Sequence, residues 1–219
     1  IALRGRSGGM EAQLQKQLSH APLPEGGREA LPSVRMRPDG YGLAPIERMN
    51  FNGWGGFLQD GAYAIDLLGG KPTPSAWCNL LSNERFGSLV SERGGGFTWA
   101  NNSYSGRLTP FGNDPLREGA GERLYLYGEK SFASLLPDMD FLISPLRVVH
   151  RPGMSAFASG AGALSFQVTE FVDRDLPVKC LRVAVKNAGG QARDLRLRLE
   201  VDWLMGTYPA DLRLMRHLP

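Results

Sequence analysis

The sequence predicts an all-β fold, a large antiparallel β-sandwich, on three observations. Short runs alternate apolar with polar residues, turns rich in glycine and proline separate these runs, and helical periodicity is scarce. Eight or more such runs are typical of a sandwich. A parallel α/β sheet would need helices of about 10 to 15 residues between its strands, and the sequence has no such segments.

The chain begins with a segment that differs from the rest. Residues 10–18 predict one short helix, in which Leu14 and Leu18 share a face, before glycine and proline end it. We interpret residues 1–48 as a linker with this helix and residues 49–206 as the sandwich domain.

The first half of this domain predicts strands at residues 62–68, 86–92 and 97–100, the last two separated by three glycines, Gly94 to Gly96. The second half predicts strands at residues 123–128, 163–172 and 179–187, each followed by a turn or a break in the pattern. The clearest strand pattern is "DLRLRLEVDWLM", because a helix would scatter its leucines around the axis. One face carries the apolar residues Leu195, Leu197, Leu199, Val201 and Trp203.

Composition excludes several classes of protein. With 219 residues, 42% hydrophobic and 21% charged, the chain is typical of globular proteins and long enough to bury a substantial core. The net charge is +3 and no block of five lysines or arginines occurs, so we expect no nucleic-acid partner. No apolar run approaches the roughly 18 residues of a membrane span.

Two features of the sequence concern processing and cysteine chemistry. Cys78 and Cys180 both lie in apolar surroundings, which predicts buried free thiols rather than a disulfide. The chain starts "IALRGRSGG", without an initiator methionine or a signal region, so we expect it to be part of a longer protein.

The segment "RGGGFTWANN" has two readings, a phosphate-binding loop or a glycine-rich hairpin turn. A phosphate loop needs a lysine and then a serine or threonine after its last glycine, leading into a helix. Here Phe97-Thr98-Trp99 follows, which favours the hairpin.

Aromatic residues are interleaved with amides in "FNGWGGF" and "FTWANNSY". Such surfaces bind sugars, because an aromatic face covers the C–H side of the ring while amides bond its hydroxyls. The alternative is that Trp54 and Trp99 are core residues beside turn amides, and the sequence leaves both readings open.

The sequence shows no recognisable metal site, serine-hydrolase site or pair of catalytic carboxyl groups. The three histidines are too dispersed for a metal motif, and no G-x-S-x-G elbow is present. A glycosidase-type site generally needs two carboxyl groups flanking the bond, or one acid plus an activated external nucleophile. Several carboxylates lie in or beside turns, where solvated charges are expected: Asp114, Glu118, Glu122, Asp173 and Asp175.

Three segments of the sequence form one series: "FNGWGGFLQDGAYAIDL", "TPSAWCNLLSNERFGSLVSERGGGFTWANNSYSGRLTPFGNDP" and "GERLYLYGE". This series resembles the N-terminal domain of the sugar phosphorylases of glycoside hydrolase family 94. Within that family it resembles most the branch of the cyclic β-1,2-glucan synthases and 1,2-β-oligoglucan phosphorylases. The resemblance covers about residues 49–206 and is densest from Phe86 to Asp114. Its departures are small: Ala64, Ser75-Ala76 and Phe111, where the family often has tyrosine, a proline-containing step and tryptophan.

The resemblance implies a β-supersandwich of the galactose-mutarotase type whose whole protein transfers hexosyl groups. It implies either inverting phosphorolysis of β-glucosides to α-glucose 1-phosphate, or cyclic β-1,2-glucan synthesis. Inorganic phosphate would be a co-substrate of the whole protein, and no other cofactor is expected. The general acid and phosphate-binding residues would lie in a later (α/α)₆ barrel, with residues 207–219 leading toward it, so this chain alone is expected to be inactive and to carry no catalytic or metal-binding residue.

The resemblance also implies a site and partners. The site would bind a β-glucan or oligosaccharide through Trp99, Asn101, Asn102, Ser103 and Arg107, and more distantly through Arg213 and Arg216. The implied partners are the enzyme's own barrel and a second copy in a homodimer. The implied location is the cytoplasm, or the cytoplasmic side of the inner membrane. The alternatives are a stand-alone carbohydrate-binding sandwich and a dimerisation module without catalysis.

Overall fold

The computed structural model describes residues 30–111, 121–137 and 145–206, which form thirteen β-strands and no helix. Within these ranges, therefore, no helix could cross a membrane. The helix predicted near residues 10–18 lies outside them. The strands are β1 (Val34–Arg35), β2 (Gly55–Phe57), β3 (Tyr63–Leu67), β4 (Cys78–Ser82), β5 (Phe86–Ser91), β6 (Gly96–Ala100), β7 (Glu122–Tyr127), β8 (Ser131–Ser134), β9 (Leu146–Arg151), β10 (Met154–Ala161), β11 (Leu164–Val172), β12 (Lys179–Asn187) and β13 (Arg196–Val201).

The described strands form three sheets. One has six strands in the order β12-β11-β10-β9-β3-β2, one has four in the order β1-β8-β7-β13, and one has three in the order β4-β5-β6. All pairs are antiparallel except β1 with β8. This confirms the predicted all-β class.

The core lies between the alternating inner faces of these sheets. In β7, Leu124 and Leu126 are buried, and in β11 the same period of two buries Phe166 and Val168. They belong to one apolar cluster with residues from β3, β4, β5, β8, β9 and β10. A strand with one face in the core and one in solvent needs this alternation, which is why the sequence pattern was informative.

The predicted strand near residues 194–205 is present as β13, but its apolar face is only partly covered. Leu197 and Leu199 are 53% and 49% exposed. They lie opposite Leu126 and Leu124 of β7, on the core side of the sheet. Because β13 is the outermost strand of that sheet, only one neighbour covers them.

The prediction of buried cysteines is wrong, although neither cysteine forms a disulfide, as expected. Cys78 is exposed and Cys180 is half-buried. In β4 the core-facing residue is Leu81, which is fully buried, whereas Cys78 lies with Leu80 on the exposed face. Apolar neighbours in sequence therefore did not place this thiol in the core, because alternate residues of a strand point to opposite faces.

Candidate functional site

The three glycines form the turn of the hairpin that joins β5 to β6, as the sequence favoured. Ser91 N–H donates to the Gly95 carbonyl at 2.9 Å and closes the turn. Gly94 and Gly96 have φ of +83° and +145°, and a Cβ on Gly96 would lie 2.0 Å from the Leu89 carbonyl oxygen. The turn therefore requires glycine at this position for backbone geometry, and it leads into a strand rather than a helix.

A second turn, from Asn101 to Gly106, follows β6 and carries most of the predicted sugar-binding residues. Asn101 has φ of +59°, a conformation that asparagine tolerates better than most residues. The Asn102 side-chain oxygen accepts hydrogen bonds from the N–H groups of Tyr104 and Ser105, each at 2.9 Å. This asparagine turn leaves Asn101, Asn102 and Ser103 exposed at its tip.

Arg107 returns from this turn and lies beside a group of aromatic rings. It forms a β-bridge with Trp99, and its Nε donates to the Ser103 carbonyl at 3.2 Å. Its guanidinium carbon lies 5.5 to 5.9 Å from the ring centres of Tyr104, Phe97 and Phe111. These distances fall within the range of cation–π attraction, so the rings hold the guanidinium group in place.

The aromatic rings also pack on one another. Phe97 stacks on Phe111 with 4.2 Å between ring centres and lies 4.8 Å from Trp99. Trp99 is half-buried and lies over Gly87, where a Cβ would come within 2.3 Å of its ring. We call Phe97, Trp99, Tyr104, Arg107 and Phe111 the aromatic cluster. Its members and the adjacent exposed amides offer aromatic faces and hydrogen-bonding groups to a ligand, and none of them is a carboxyl or imidazole group.

A buried charge cluster lies on the opposite face of β6. Thr98 donates from Oγ1 to Glu122 at 2.9 Å, and Lys179 Nζ lies 2.8 Å from Glu122 and 3.4 Å from Glu170. Burial raises the pKa of Glu170, although Lys179 opposes this. Burial would lower the pKa of Lys179, but the charges of Glu170 and Glu122 outweigh it and raise that pKa.

Glu122 was expected to be a solvated charge in a turn, and the buried charge cluster shows that this expectation was wrong. Glu122 lies at the start of β7 with its side chain 15% exposed, paired with Lys179, rather than solvated in a turn. Asp173 does lie in a turn, where it accepts hydrogen bonds from the N–H groups of Asp175 and Leu176. Asp114 and Glu118 lie outside the described residues.

Glu92, which belongs to the segment that most closely resembles the family, has a structural role. Glu92 is fully buried and accepts hydrogen bonds from Thr73 Oγ1, from the Trp77 N–H at 2.7 Å and from Arg93 Nε at 3.2 Å. Burial raises the pKa of Glu92, and these hydrogen bonds oppose the rise. The bonds attach the β5–β6 hairpin to the segment before β4, which supports the aromatic cluster from a distance.

His150 is also buried, and the sequence analysis gave it no role. Its Nε2 lies 3.1 Å from the Trp77 carbonyl, which can only accept, so Nε2 carries the proton. Its Nδ1 then accepts from Ser155 Oγ at 2.9 Å, and Asn79 Nδ2 donates to the same hydroxyl at 3.0 Å. Burial lowers the pKa of His150 to about 4.

The structure thus brings together five of the seven predicted site residues. Trp99, Asn101, Asn102, Ser103 and Arg107 belong to one hairpin. Arg213 and Arg216 lie outside the described residues. Sequence reasoning missed Tyr104, Phe97 and Phe111 as partners of Arg107, although the density of aromatic residues around "FTWANNSYSGRLTPF" was a signal that could have pointed to them.

Comparison with known proteins gives two findings. Residues 61–217 match the family model described as the supersandwich domain of glycosyl hydrolase 94. The chain is also 38% identical over 160 residues to the cyclic beta-(1,2)-glucan synthase NdvB of Rhizobium meliloti (strain 1021). This match covers 71% of the chain but only 6% of that relative, so the chain spans a small part of the curated protein that it resembles. On the family match and on its all-β fold, the chain belongs to glycosyl hydrolase family 94, as its supersandwich domain.

Proposed function

We propose that this chain is the supersandwich domain of a β-glucan-acting enzyme and that its Trp99–Arg107 hairpin binds the glucan. The observation that supports the proposal best is the aromatic cluster, with a guanidinium group held against three rings beside exposed asparagine side chains. Aromatic faces and planar hydrogen-bonding groups together suit a pyranose ring, whose C–H face and hydroxyl edge are recognised separately.

The ligand and reaction that we propose come from the similarity to the glucan synthase. We propose β-1,2-linked glucan as the ligand and cyclic β-1,2-glucan synthesis as the activity of a whole protein that contains this domain. The alternative is inverting phosphorolysis with inorganic phosphate, the reaction that the resemblance to sugar phosphorylases implies. In either case the domain would act from the cytoplasmic side and bind or position glucan rather than cleave it.

Calorimetric titration of the full chain with β-1,2-gluco-oligosaccharides tests the binding site. We expect measurable binding that weakens at least about tenfold, or about 1.4 kcal/mol, in Trp99→Ala and in Arg107→Met. The matched control is Trp203→Ala, because Trp203 is a partly exposed tryptophan outside the hairpin, and we expect its affinity to be unchanged. Cello-oligosaccharides of equal length test linkage preference in the same experiment.

Two outcomes would contradict this proposal. A folded chain that gives neither heat nor chemical-shift changes with either oligosaccharide would remove the glucan site. Binding that Trp99→Ala and Trp203→Ala weaken equally would place the site elsewhere.

A further inference from the structure

A second aromatic surface lies on the six-stranded sheet, whereas the rings of Phe97 and Trp99 belong to the three-stranded sheet. Met49, Phe57, Tyr63 and His150 are direct neighbours across the six-stranded sheet and share one of its faces. Exposure decreases along this row, since Met49 is 52% exposed, Phe57 44% and His150 only 9%. The row therefore begins in solvent with two apolar side chains and ends in the core.

The chain itself covers both sides of β2, the outer strand that carries Phe57. β3 pairs with it on one side, and on the other side Met49 exchanges two backbone hydrogen bonds with Phe57, at 2.8 and 2.9 Å. Residues 30–111 are described without a gap, so both neighbours of β2 are present. Phe57 is exposed because its side chain projects beyond the core.

Three aromatic rings meet nearly at right angles on this surface. The ring centres of Phe57 and Tyr63 lie 4.9 Å apart and those of Tyr63 and Trp77 5.8 Å, and the planes of each pair are inclined by 79°. Such edge-to-face contacts are favourable, so the rings hold one another in place. Gly55 makes room for Tyr63, because a Cβ there would lie 2.8 Å from Cε1 of the Tyr63 ring.

A tight turn places a side-chain amide at the tip of the Tyr63 ring. Asn52 Oδ1 accepts hydrogen bonds from the N–H groups of Trp54 at 3.1 Å and Gly55 at 3.0 Å, and the Asn52 N–H donates to the Gly55 carbonyl at 3.0 Å. These bonds fix which atom of the amide is the oxygen. The Asn52 Nδ2 group therefore donates to the Tyr63 hydroxyl, at 3.0 Å.

Two hydrogen-bond donors remain on this pair of side chains. The Tyr63 hydroxyl keeps its own hydrogen, and Asn52 Nδ2 carries a second one. Within the part of the chain that the structure describes, neither hydrogen has an acceptor. Both groups are held in place before a ligand binds, which lowers the entropy that binding costs. We call Met49, Asn52, Phe57 and Tyr63 the edge platform.

The edge platform favours an uncharged ligand. It contains no carboxylate, ammonium or guanidinium group, and the carboxylate of Asp60, in the turn between β2 and β3, is paired with Arg151. A charged ligand would therefore lose hydration without gaining an opposite charge. A ligand that fits has an apolar face for the rings and oxygen atoms that accept from the two fixed donors. A pyranose ring has both features.

We propose that the edge platform is a second saccharide-binding site, at which a pyranose ring lies against Phe57 while its oxygen atoms accept hydrogen bonds from Asn52 and Tyr63. The identity of the saccharide rests on the proposed function, so the ligand is a further part of the β-glucan. The edge platform is the weaker of the two sites. Its donors are neutral, whereas the hairpin has the guanidinium group of Arg107, and charge-assisted hydrogen bonds are stronger.

The two readings of the segment "FNGWGGF" then apply to different residues. Trp54 packs against the core, as the alternative reading expected. The sugar-binding reading applies to Asn52 and Phe57, which are both exposed. The tryptophan drew attention to the segment, but the residues proposed to touch sugar are its neighbours.

A titration of the full chain with β-1,2-linked glucotetraose, followed by two-dimensional ¹H–¹⁵N NMR up to about 20 mM, tests the proposal in a range where weak binding is measurable. The Asn52 side-chain amide signal reports the edge platform, and the Trp99 indole N–H signal reports the hairpin. We expect both to shift and saturate, with the larger dissociation constant at Asn52. Phe57→Ala and Tyr63→Phe should each raise that constant at least about threefold and leave the constant at Trp99 unchanged.

The matched control is Phe51→Ala, which removes an exposed phenylalanine of the same segment. Phe51 lies on the opposite face of β2, where a Cβ on Gly56 would meet Arg48 and Phe51, so the constant at Asn52 should not change. Trp99→Ala should also leave it unchanged. Sorbitol, an open-chain polyol without a ring face, should not shift the Asn52 signal. Circular dichroism of each variant checks the fold.

The outcomes separate this site from the hairpin. An Asn52 signal that stays in place while the Trp99 signal shifts overturns the edge platform and leaves the hairpin site intact. The reverse pattern supports the edge platform and contradicts the hairpin site, and a titration in which neither signal shifts contradicts both. A shift at Asn52 that Phe57→Ala and Tyr63→Phe do not weaken, or that sorbitol reproduces, also overturns the edge platform.

Discussion

His150 is a neutral base whose protonation the fold opposes. Its pKa is about 4 in the folded chain against an ordinary value of 6.5, because burial disfavours the imidazolium. The folded state therefore binds fewer protons than the unfolded state between these two values. The stabilising contribution is fully present above about pH 6.5 and is lost as the pH falls toward 4, by up to about 3 kcal/mol.

The variant His150→Gln tests this at the residue scale. We expect it to be less stable than the wild type at pH 7.5, because the bonds to Ser155 and the Trp77 carbonyl are disturbed. Its disadvantage should shrink by about 2–3 kcal/mol at pH 4.5, since glutamine has no proton to gain. Urea unfolding at both pH values measures this, and an unchanged difference between the two proteins would contradict it.

At the element scale, the β5–β6 hairpin depends on one glycine more than on the others. Gly96 has φ of +145° and a Cβ there would meet the Leu89 carbonyl at 2.0 Å, whereas Gly153 has φ of +77° with open space around it. Gly153→Ala should cost only the backbone strain, about 1–2 kcal/mol. Gly96→Ala must also move the β5 backbone, so we expect a larger loss of at least about 3 kcal/mol.

Thermal and urea unfolding of the two alanine variants measure this difference directly. Gly153→Ala serves as the control for the general effect of alanine at positive φ in a hairpin turn. Equal losses in the two variants would show that the close contact with Leu89 is relieved easily. The conclusion that the turn needs glycine for space would then be wrong.

The elements also show what the sequence could predict and what it could not. The β5–β6 hairpin and β13 were predicted because their signals are local: glycines between two strand patterns, and leucines that alternate with charges. The exposure of Leu197 and Leu199 was not predicted, because it depends on which strand lies at the sheet edge. That order is set by pairings distant in sequence.

For the candidate site too, the sequence could predict contacts between neighbouring residues but not contacts between residues far apart in the chain. Residues of one turn, such as Asn101 and Ser103, could be grouped from the sequence because they are neighbours in it. The burial of Glu122 could not be predicted, since its partner Lys179 is 57 positions away. The role of Glu92 was not predicted for the same reason, because two of its partners, Thr73 and Trp77, lie 19 and 15 positions earlier.

At the scale of the whole molecule, the buried charge cluster joins all three sheets. Thr98 comes from the three-stranded sheet, Glu122 from the four-stranded sheet, and Glu170 and Lys179 from the six-stranded sheet. One ammonium group thus neutralises carboxylates on two sheets. Removing it leaves two carboxylates in a place that water cannot solvate well, which is more costly than losing an exposed ion pair.

The variant Lys179→Met therefore should destabilise the chain by about 3–5 kcal/mol at pH 7, measured by urea unfolding. The deficit should decrease as the pH is lowered. Glu170 has a pKa raised by burial, and without Lys179 nothing in the cluster opposes that rise. A carboxyl group with a raised pKa favours the folded state at low pH and loses that contribution as the pH rises through the raised value.

The double variant K179M/E170Q separates the charge effect from the loss of packing. It removes the ammonium group together with the more deeply buried carboxylate, and Glu122 keeps its hydrogen bond from Thr98. We expect it to recover at least half of the stability that Lys179→Met loses at pH 7, with little dependence on pH between 5 and 7. If the double variant were as unstable as the single variant, the contribution of Lys179 would come from the packing of its side chain, and the three sheets would be joined without the help of its charge.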